Sequence, residues 1–523
     1  MSDLAPEGSG STSGLARTVA RNTAWSAFAA VASPLLMFLF GGLTIRYVGL
    51  EAAGISVVTA SIFGVAARLT LLGVSEAFIP RMAAAIAAND QHETKTLFGT
   101  VVAFSTAMAA ATAILITGCW FLVVDHSSAT ALPKDVGTFL VVASLTHVVT
   151  TVQNVFAGVL RSAQRFDLLS AFTVPISFLT GLCGCLILPA FPGLTTVAAV
   201  GFLGAVASLA AAAFLARRTA PDIVRPLVAV KTLVPLIRYG AWITLANLLS
   251  VLTASVDALV LAAFCGTAAV APYNIGKQLF VTGHTMLLQQ TEHIGPTLSA
   301  LGDARRDTAD RIASGMLWLT ALLAAAGYSF IAWAGPVLVD AIAGAAVAHL
   351  GRVAIQSYAA YGLVMSLLIV PVTSGMATGF PKLAFLVGLA IGPSLVVGIA
   401  LLGYFAGVPA VYLAPMLAIP GLFLLLGTTP HDLCDPGVLS RRLSVIAAPF
   451  AMAVVAIGTS AMMNHGPSHP ARLATATGIA VGMIPTVLGL EHLLRRNHEL
   501  HEVAWRLLRA IVQRVQTRGL RNC

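Results

Sequence analysis

Charge is what this chain has least of. Only 10% of its 523 residues are Asp, Glu, Lys or Arg, against about 25% in an ordinary soluble domain. Hydrophobic residues make up 58%, and the mean hydropathy is +0.89. So few polar groups cannot clothe a soluble surface, which excludes a soluble globular protein. Cysteine is also sparse. Cys119, Cys183, Cys185, Cys265, Cys434 and Cys523 form neither a paired framework nor a zinc spacing, and most fall inside apolar runs. Neither a disulfide scaffold nor a metal site is expected. A phosphate-binding glycine loop is missing too: Gly276-Lys277-Gln278 lacks both the upstream glycine and the following hydroxyl. No segment is long and polar enough for a separate nucleotide-binding or catalytic domain. No nucleophile or acid–base pair stands out at matched depth. These absences argue against an enzyme and against any cofactor.

What is present is a series of long Leu-, Ala- and Val-rich runs without strict alternation. Backbone groups in lipid must be satisfied internally, so such runs are helices. The expected fold class is all-α, a polytopic membrane protein with about fourteen spans of roughly 20 residues each. The second span is expected over Gly54–Ile79, the ninth over Ser314–Trp333 and the tenth over Ala354–Gly375.

The loops orient the chain. With the N-terminus placed in the cytoplasm, only Arg46, Lys134, Arg352 and Arg472 of the 30 Lys and Arg fall outside. Arg68 and Lys277 fall within spans, and all the others fall inside, as cytoplasmic loops require. The net charge of +9 is therefore mostly this inside-positive bias and gives no reason to expect nucleic acid. Apolar positions at helical spacing from Glu499 to Thr517, with Arg506, Arg509 and Arg514 off that face, predict an amphipathic helix on the anionic inner leaflet. Met1–Gly14 is Ser- and Gly-rich and slightly acidic, which predicts a disordered tail rather than a signal peptide.

The chain repeats itself. Arg21, Trp25 and Gly49 recur at a constant offset as Arg238, Trp242 and Gly266. With an offset one residue shorter, the stretch Ser75–Pro80 recurs as Thr291–Pro296, and Arg68 falls on His284. Two six-helix lobes in parallel pseudo-twofold repeat follow from an even number of spans per copy. The expected organisation is a cytoplasmic tail (1–20), a first lobe (21–216), a cytoplasmic linker (217–237), a second lobe (238–430), two additional spans (431–490) and a basic amphipathic tail (491–523).

Ionisable groups inside spans are the candidate site, because a charge at mid-membrane costs at least about 2.5 kcal/mol. Arg68 lies twelve residues before Pro80. On one continuous helix that is roughly 18 Å from the cytoplasmic end. It is read either as a cavity ligand for an anion or as half of an intramembrane salt bridge. His284 is read as its partner across the repeat or as a packing histidine. Arg46, at the outer end of the first span, and Lys277 complete the basic set. Glu76 and Glu292 are gating candidates or plain interfacial carboxylates. Asp257 and Lys277 reach similar depths on either side of Gly266, which predicts either a structural ion pair or an ion-sensitive acid.

The repeated pieces also carry a family resemblance. Arg21-Asn22-Thr23-Ala24-Trp25 with Arg46-Tyr47-Val48-Gly49, the stretch from Pro80 to Asn89-Asp90, Tyr239-Gly240-Ala241-Trp242 leading to Asp257, Val270-Ala271-Pro272-Tyr273-Asn274, and Pro296-Thr297-Leu298-Ser299 resemble the bacterial polysaccharide flippases. These are the oligosaccharide repeat-unit flippases of the multidrug/oligosaccharidyl-lipid/polysaccharide superfamily. Glu76 departs from the basic or neutral residue expected there. The resemblance implies a two-lobed, MATE-like helical transporter of the cytoplasmic membrane with both termini inside. It implies a polyprenyl-diphosphate-linked oligosaccharide as cargo, moved to the outer leaflet by alternating access. Membrane lipids, a polysaccharide polymerase and export proteins are the implied partners. The alternatives are a multidrug or cation antiporter of the same superfamily, or a non-transporting scaffold of a polysaccharide-assembly complex.

Overall fold

The computed structural model describes residues 35–71, 73–126, 135–163, 165–224, 226–238, 255–291, 306–377, 382–419 and 451–460. In chain order the helices are α1 (Leu35–Val48), α2 (Leu50–Thr70), α3 (Val74–Ala87), α4 (Gln91–His126), α5 (Val136–Ser162), α6 (Phe166–Ile187), α7 (Leu194–Thr219), α8 (230–238), α9 (Asp257–Cys265), α10 (Thr267–Thr291), α11 (Arg306–Ala343), α12 (Ala345–Ala377), α13 (Lys382–Ala406), α14 (Val408–Ile419) and α15 (Ala451–Ser460). Among the described residues there is no strand, and eight helices are long and apolar enough to cross a membrane. Of the two additional spans expected over 431–490 only residues 451–460 are described, and the amphipathic tail lies outside the described residues.

Three expected boundaries change. The second span is broken: α2 ends at Thr70, and α3 starts at Val74 after Gly73, whose φ is 63°. Hydropathy is continuous across this point, so only the left-handed glycine marks it. In contrast, α11 runs on past Trp333, through Pro336 to Ala343. Its 38 residues reach about 57 Å at 1.5 Å each, more than one bilayer crossing needs. Similarly, α12 begins at Ala345, well before the expected Ala354.

The repeat is visible in the backbone. Gly49 and Gly266 both turn a helical hairpin with positive φ, 102° and 83°. Each N–H donates 3.0 Å to the carbonyl four residues back, Ile45 and Ala262 respectively. A residue with a Cβ is disfavoured there, so glycine stops one helix and starts the next.

The described residues fall into two compact units, one drawn from 35–41 and 69–238 and the other from 42–68 and 255–460. The first hairpin's residues 42–68 thus group with the second unit. The core of the first unit is formed by Val74, Met82, Leu97, Val101, Val159, Leu160, Ala212 and Leu236, all completely buried. The linker is strapped to this unit. Ile223 sits in the same core, Ala229 N–H donates to Thr100 Oγ1 at 3.0 Å, and Lys95 Nζ lies 3.8 Å from Asp222. The second unit packs α9, α10, α12, α13 and α14 around Leu261, Val270, Tyr273, Ala354, Ile399 and Val411.

Candidate functional site

The second unit holds a buried ion pair within its apolar helices. Asp257 opens α9 and Lys277 lies on α10, with the Gly266 corner between them. The antiparallel hairpin brings the two side chains together, as their matched depths predict. Lys277 Nζ donates to both carboxylate oxygens of Asp257 at 2.7 Å. Tyr273, one turn before Lys277, donates its hydroxyl to Oδ2 at 3.2 Å, and the Ala258 N–H donates to Oδ1 at 2.8 Å. Every lone-pair direction in use has a donor, which a buried ion pair requires if it is not to cost more than it contributes. Asp257 is 0% exposed, whereas the Lys277 side chain is 13% exposed, so the ammonium closes the pair from its open side.

One face of α10 builds the surroundings. Tyr273, Lys277, Phe280, His284 and Leu287 recur at helical spacing and form a single stripe. Tyr273 meets Tyr358 edge-on at 5.3 Å and stacks with Tyr412 at 6.4 Å. Phe280 stacks on Tyr358 at 5.7 Å and meets Tyr361 edge-on at 5.0 Å. The backbone of α12 approaches closely because Gly276 lacks a side chain: a Cβ there would lie 2.9 Å from the Ala354 carbonyl carbon.

The remaining candidates are dispersed. His284 is half-buried against Phe280, with ring centroids 5.4 Å apart; among the described residues its Nδ1 is buried without a hydrogen-bond partner. Arg68 is exposed in the last turn of α2, beside the break. Its expected depth assumed a continuous helix to Pro80, and the break at Gly73 removes that basis. Among the described residues no hydrogen bond, ion pair or ring contact joins Arg68 to His284. Arg46 donates from Nη1 to the Ala341 carbonyl at 3.1 Å, in the last turn of α11. Glu76 falls in the first turn of α3, and Glu292 lies outside the described residues. No group of three or more His, Cys, Asp or Glu that could hold a metal ion occurs among the described residues.

Sequence reasoning missed the tyrosines. Tyr273 was within reach, since it precedes Lys277 by one helical turn. Tyr358 and Tyr361 come from α12 and have no local signal pointing to Asp257.

The fold and this hairpin define a multi-pass α-helical membrane protein made of two helical units. Several solved structures share the fold. An inward-facing multidrug resistance MATE family transporter of the MOP superfamily matches with a TM-score of 0.63 at 14% identity, covering 84% of this chain and 99% of that one. The lipid II flippase MurJ in its inward closed conformation matches with a TM-score of 0.64 at 11% identity, covering 90% and 98%. A MATE structure in complex with MaL6 matches at 0.53, with 14% identity over 84% and 95%. Comparison with the sequences of curated proteins finds no match. Residues 19–299 match the family model described as polysaccharide biosynthesis protein. The chain belongs to that family.

Proposed function

We propose that this protein is a flippase that carries a polyprenyl-diphosphate-linked oligosaccharide across the bacterial cytoplasmic membrane for exopolysaccharide, capsule or O-antigen assembly. The observation that carries the reading is the family match over residues 19–299, which includes both copies of the repeated hairpin and the Asp257–Lys277 pair. The cargo's diphosphate and sugars pass through the protein while the polyprenyl tail stays in lipid, and rocking of two lobes gives alternate access. A diphosphate carries about two negative charges, and an arginine fork suits it. Arg68 is an exposed guanidinium that supports this assignment. Handing the cargo to a polymerase and export proteins on the outer side completes the reading.

Charge disfavours a cation antiporter. Among the described residues Asp257 is the fully buried acid of the second unit, and Lys277 already pairs with it. A pocket for cationic drugs needs acids that are not so paired.

The test is a deletion strain with no second flippase. Surface polysaccharide should be lost and undecaprenyl-linked repeat units should accumulate on the inner leaflet. Complementation with the wild-type chain should restore export, and complementation with Arg68→Glu should not, at equal protein level. A deletion strain that still displays its polysaccharide refutes the proposal.

A further inference from the structure

The Asp257 carboxylate has the features of a cation seat. Its two oxygens converge on one point, with Lys277 Nζ 2.7 Å from each. Tyr273 Oη lies 3.2 Å from Oδ2, and the Tyr273 ring meets Tyr358, only 2% exposed, edge-on at 5.3 Å. A two-oxygen carboxylate bite with a phenol oxygen beside it presents oxygen donors of the kind a hard cation takes. The carboxylate is held in place without Lys277, because Ala258 N–H fixes Oδ1 at 2.8 Å. Lys277 reaches this point from the less buried side, its side chain 13% exposed against 0% for Asp257.

We propose that Asp257 is a monovalent-cation seat whose cation is covalently built in as the Lys277 ammonium, so that this site takes up no dissociable ion. The inference goes beyond the cargo assignment and holds whatever the cargo is. Its consequence is a second unit that stays neutral at this site when sodium or potassium changes. An isolated carboxylate in the same place would be expensive to bury and would have to recruit an ion or a proton.

Truncation tests this directly. Beyond Cβ, the lysine side chain has the atoms of propylammonium. Lys277→Ala should leave a vacant seat of that shape and charge preference. The readout is thermal unfolding of the purified full-length protein in detergent, which needs no cargo. With Lys277→Ala, propylammonium should raise Tm saturably by about 2 °C or more, over an N-methylglucamine control of equal ionic strength. Propan-1-ol, which fills the space without charge, should not do so. Sodium and potassium should stabilise the same variant, and Asp257→Asn/Lys277→Ala should lose every cation response. Wild type should show no cation-specific shift. The proposal is overturned if propanol works as well as propylammonium, if Lys277→Ala responds to no cation, or if it aggregates equally with and without propylammonium. It is also overturned if sodium or potassium stabilises wild type saturably and Asp257→Asn abolishes that effect.

Discussion

Ser460 makes the hydrogen bond that Pro336 cannot. Within α11, Pro336 has no N–H to give to the carbonyl of Ala332, four residues back, and the Ser460 hydroxyl donates to that carbonyl instead, at 2.8 Å. Gln356 Nε2 in turn donates to Ser460 Oγ at 3.1 Å, and Trp333 Nε1 donates to the Ala456 carbonyl at 2.8 Å. In lipid an orphaned carbonyl is costly, and a neighbouring serine is one way to satisfy it. Helix α15 is therefore fitted to α11 at the proline, and Ala453, Ala456 and Ile457 share a core with Tyr328 and Leu287.

This relationship predicts a coupling between distant positions. Ser460→Ala should destabilise the protein by about 1 kcal/mol, within the range measured for interhelical hydrogen bonds in membranes. Pro336→Ala restores the missing N–H, so Ser460→Ala in that background should cost only a few tenths of a kcal/mol. Unfolding of the four proteins in a double-mutant cycle measures the difference. Equal costs in both backgrounds would show that Ser460 does not serve the proline gap.

The glycine corners should respond differently to substitution. A Cβ on Gly49 or Gly266 would meet nothing within 4 Å, so any cost is conformational. Gly266 combines φ 83° with ψ 164°, a region open essentially to glycine alone. Gly266→Ala should cost on the order of 1–3 kcal/mol, and Gly266→Asn should not recover it. Thermal unfolding of the two variants checks this, with equal stability of Gly266→Asn and wild type as the contrary result.

For the ion pair, removing one partner should be worse than removing both. Asp257→Asn and Lys277→Met should each cost about 3–5 kcal/mol, because each leaves a buried or half-buried charge alone. Asp257→Asn/Lys277→Met should be more stable than either single variant. Folded yield and unfolding midpoints of the three proteins decide it. A double variant as unstable as the sum of the singles would deny that the two charges neutralise each other.

What the sequence reveals and what it hides follow from the range of the signals. The helical class, the Gly49 and Gly266 corners and the meeting of Asp257 with Lys277 all depend on composition or on residues joined by one hairpin. The break at Gly73 is hidden because Leu71 and Val74 keep the apolar run continuous while the backbone turns. Pro336 looks like a helix end, yet α11 passes through it because Ser460, far away in the chain, supplies the missing donor. His284 aligns with Arg68 in the repeat, but packing against Phe280 sets its surroundings, and alignment does not carry that information.

Arg46 and Arg68, two exposed arginines at helix ends, should separate stability from transport. Arg46 donates to Ala341 at the C-terminal end of α11, where unpaired carbonyls and the helix dipole favour a cation. Arg46→Ala should therefore lower stability by about 0.5 kcal/mol, and Arg46→Lys should retain most of it. Arg68 has no such carbonyl among the described contacts, so Arg68→Ala should leave the unfolding midpoint unchanged. If the guanidinium meets a diphosphate, Arg68→Ala should nevertheless reduce polysaccharide export, and Arg68→Lys should recover only part, since an ammonium cannot make the two-pronged contact. Export by complemented deletion strains, normalised to protein level and set beside the unfolding midpoints, resolves the two roles. Full export by Arg68→Ala would remove Arg68 from the cargo path.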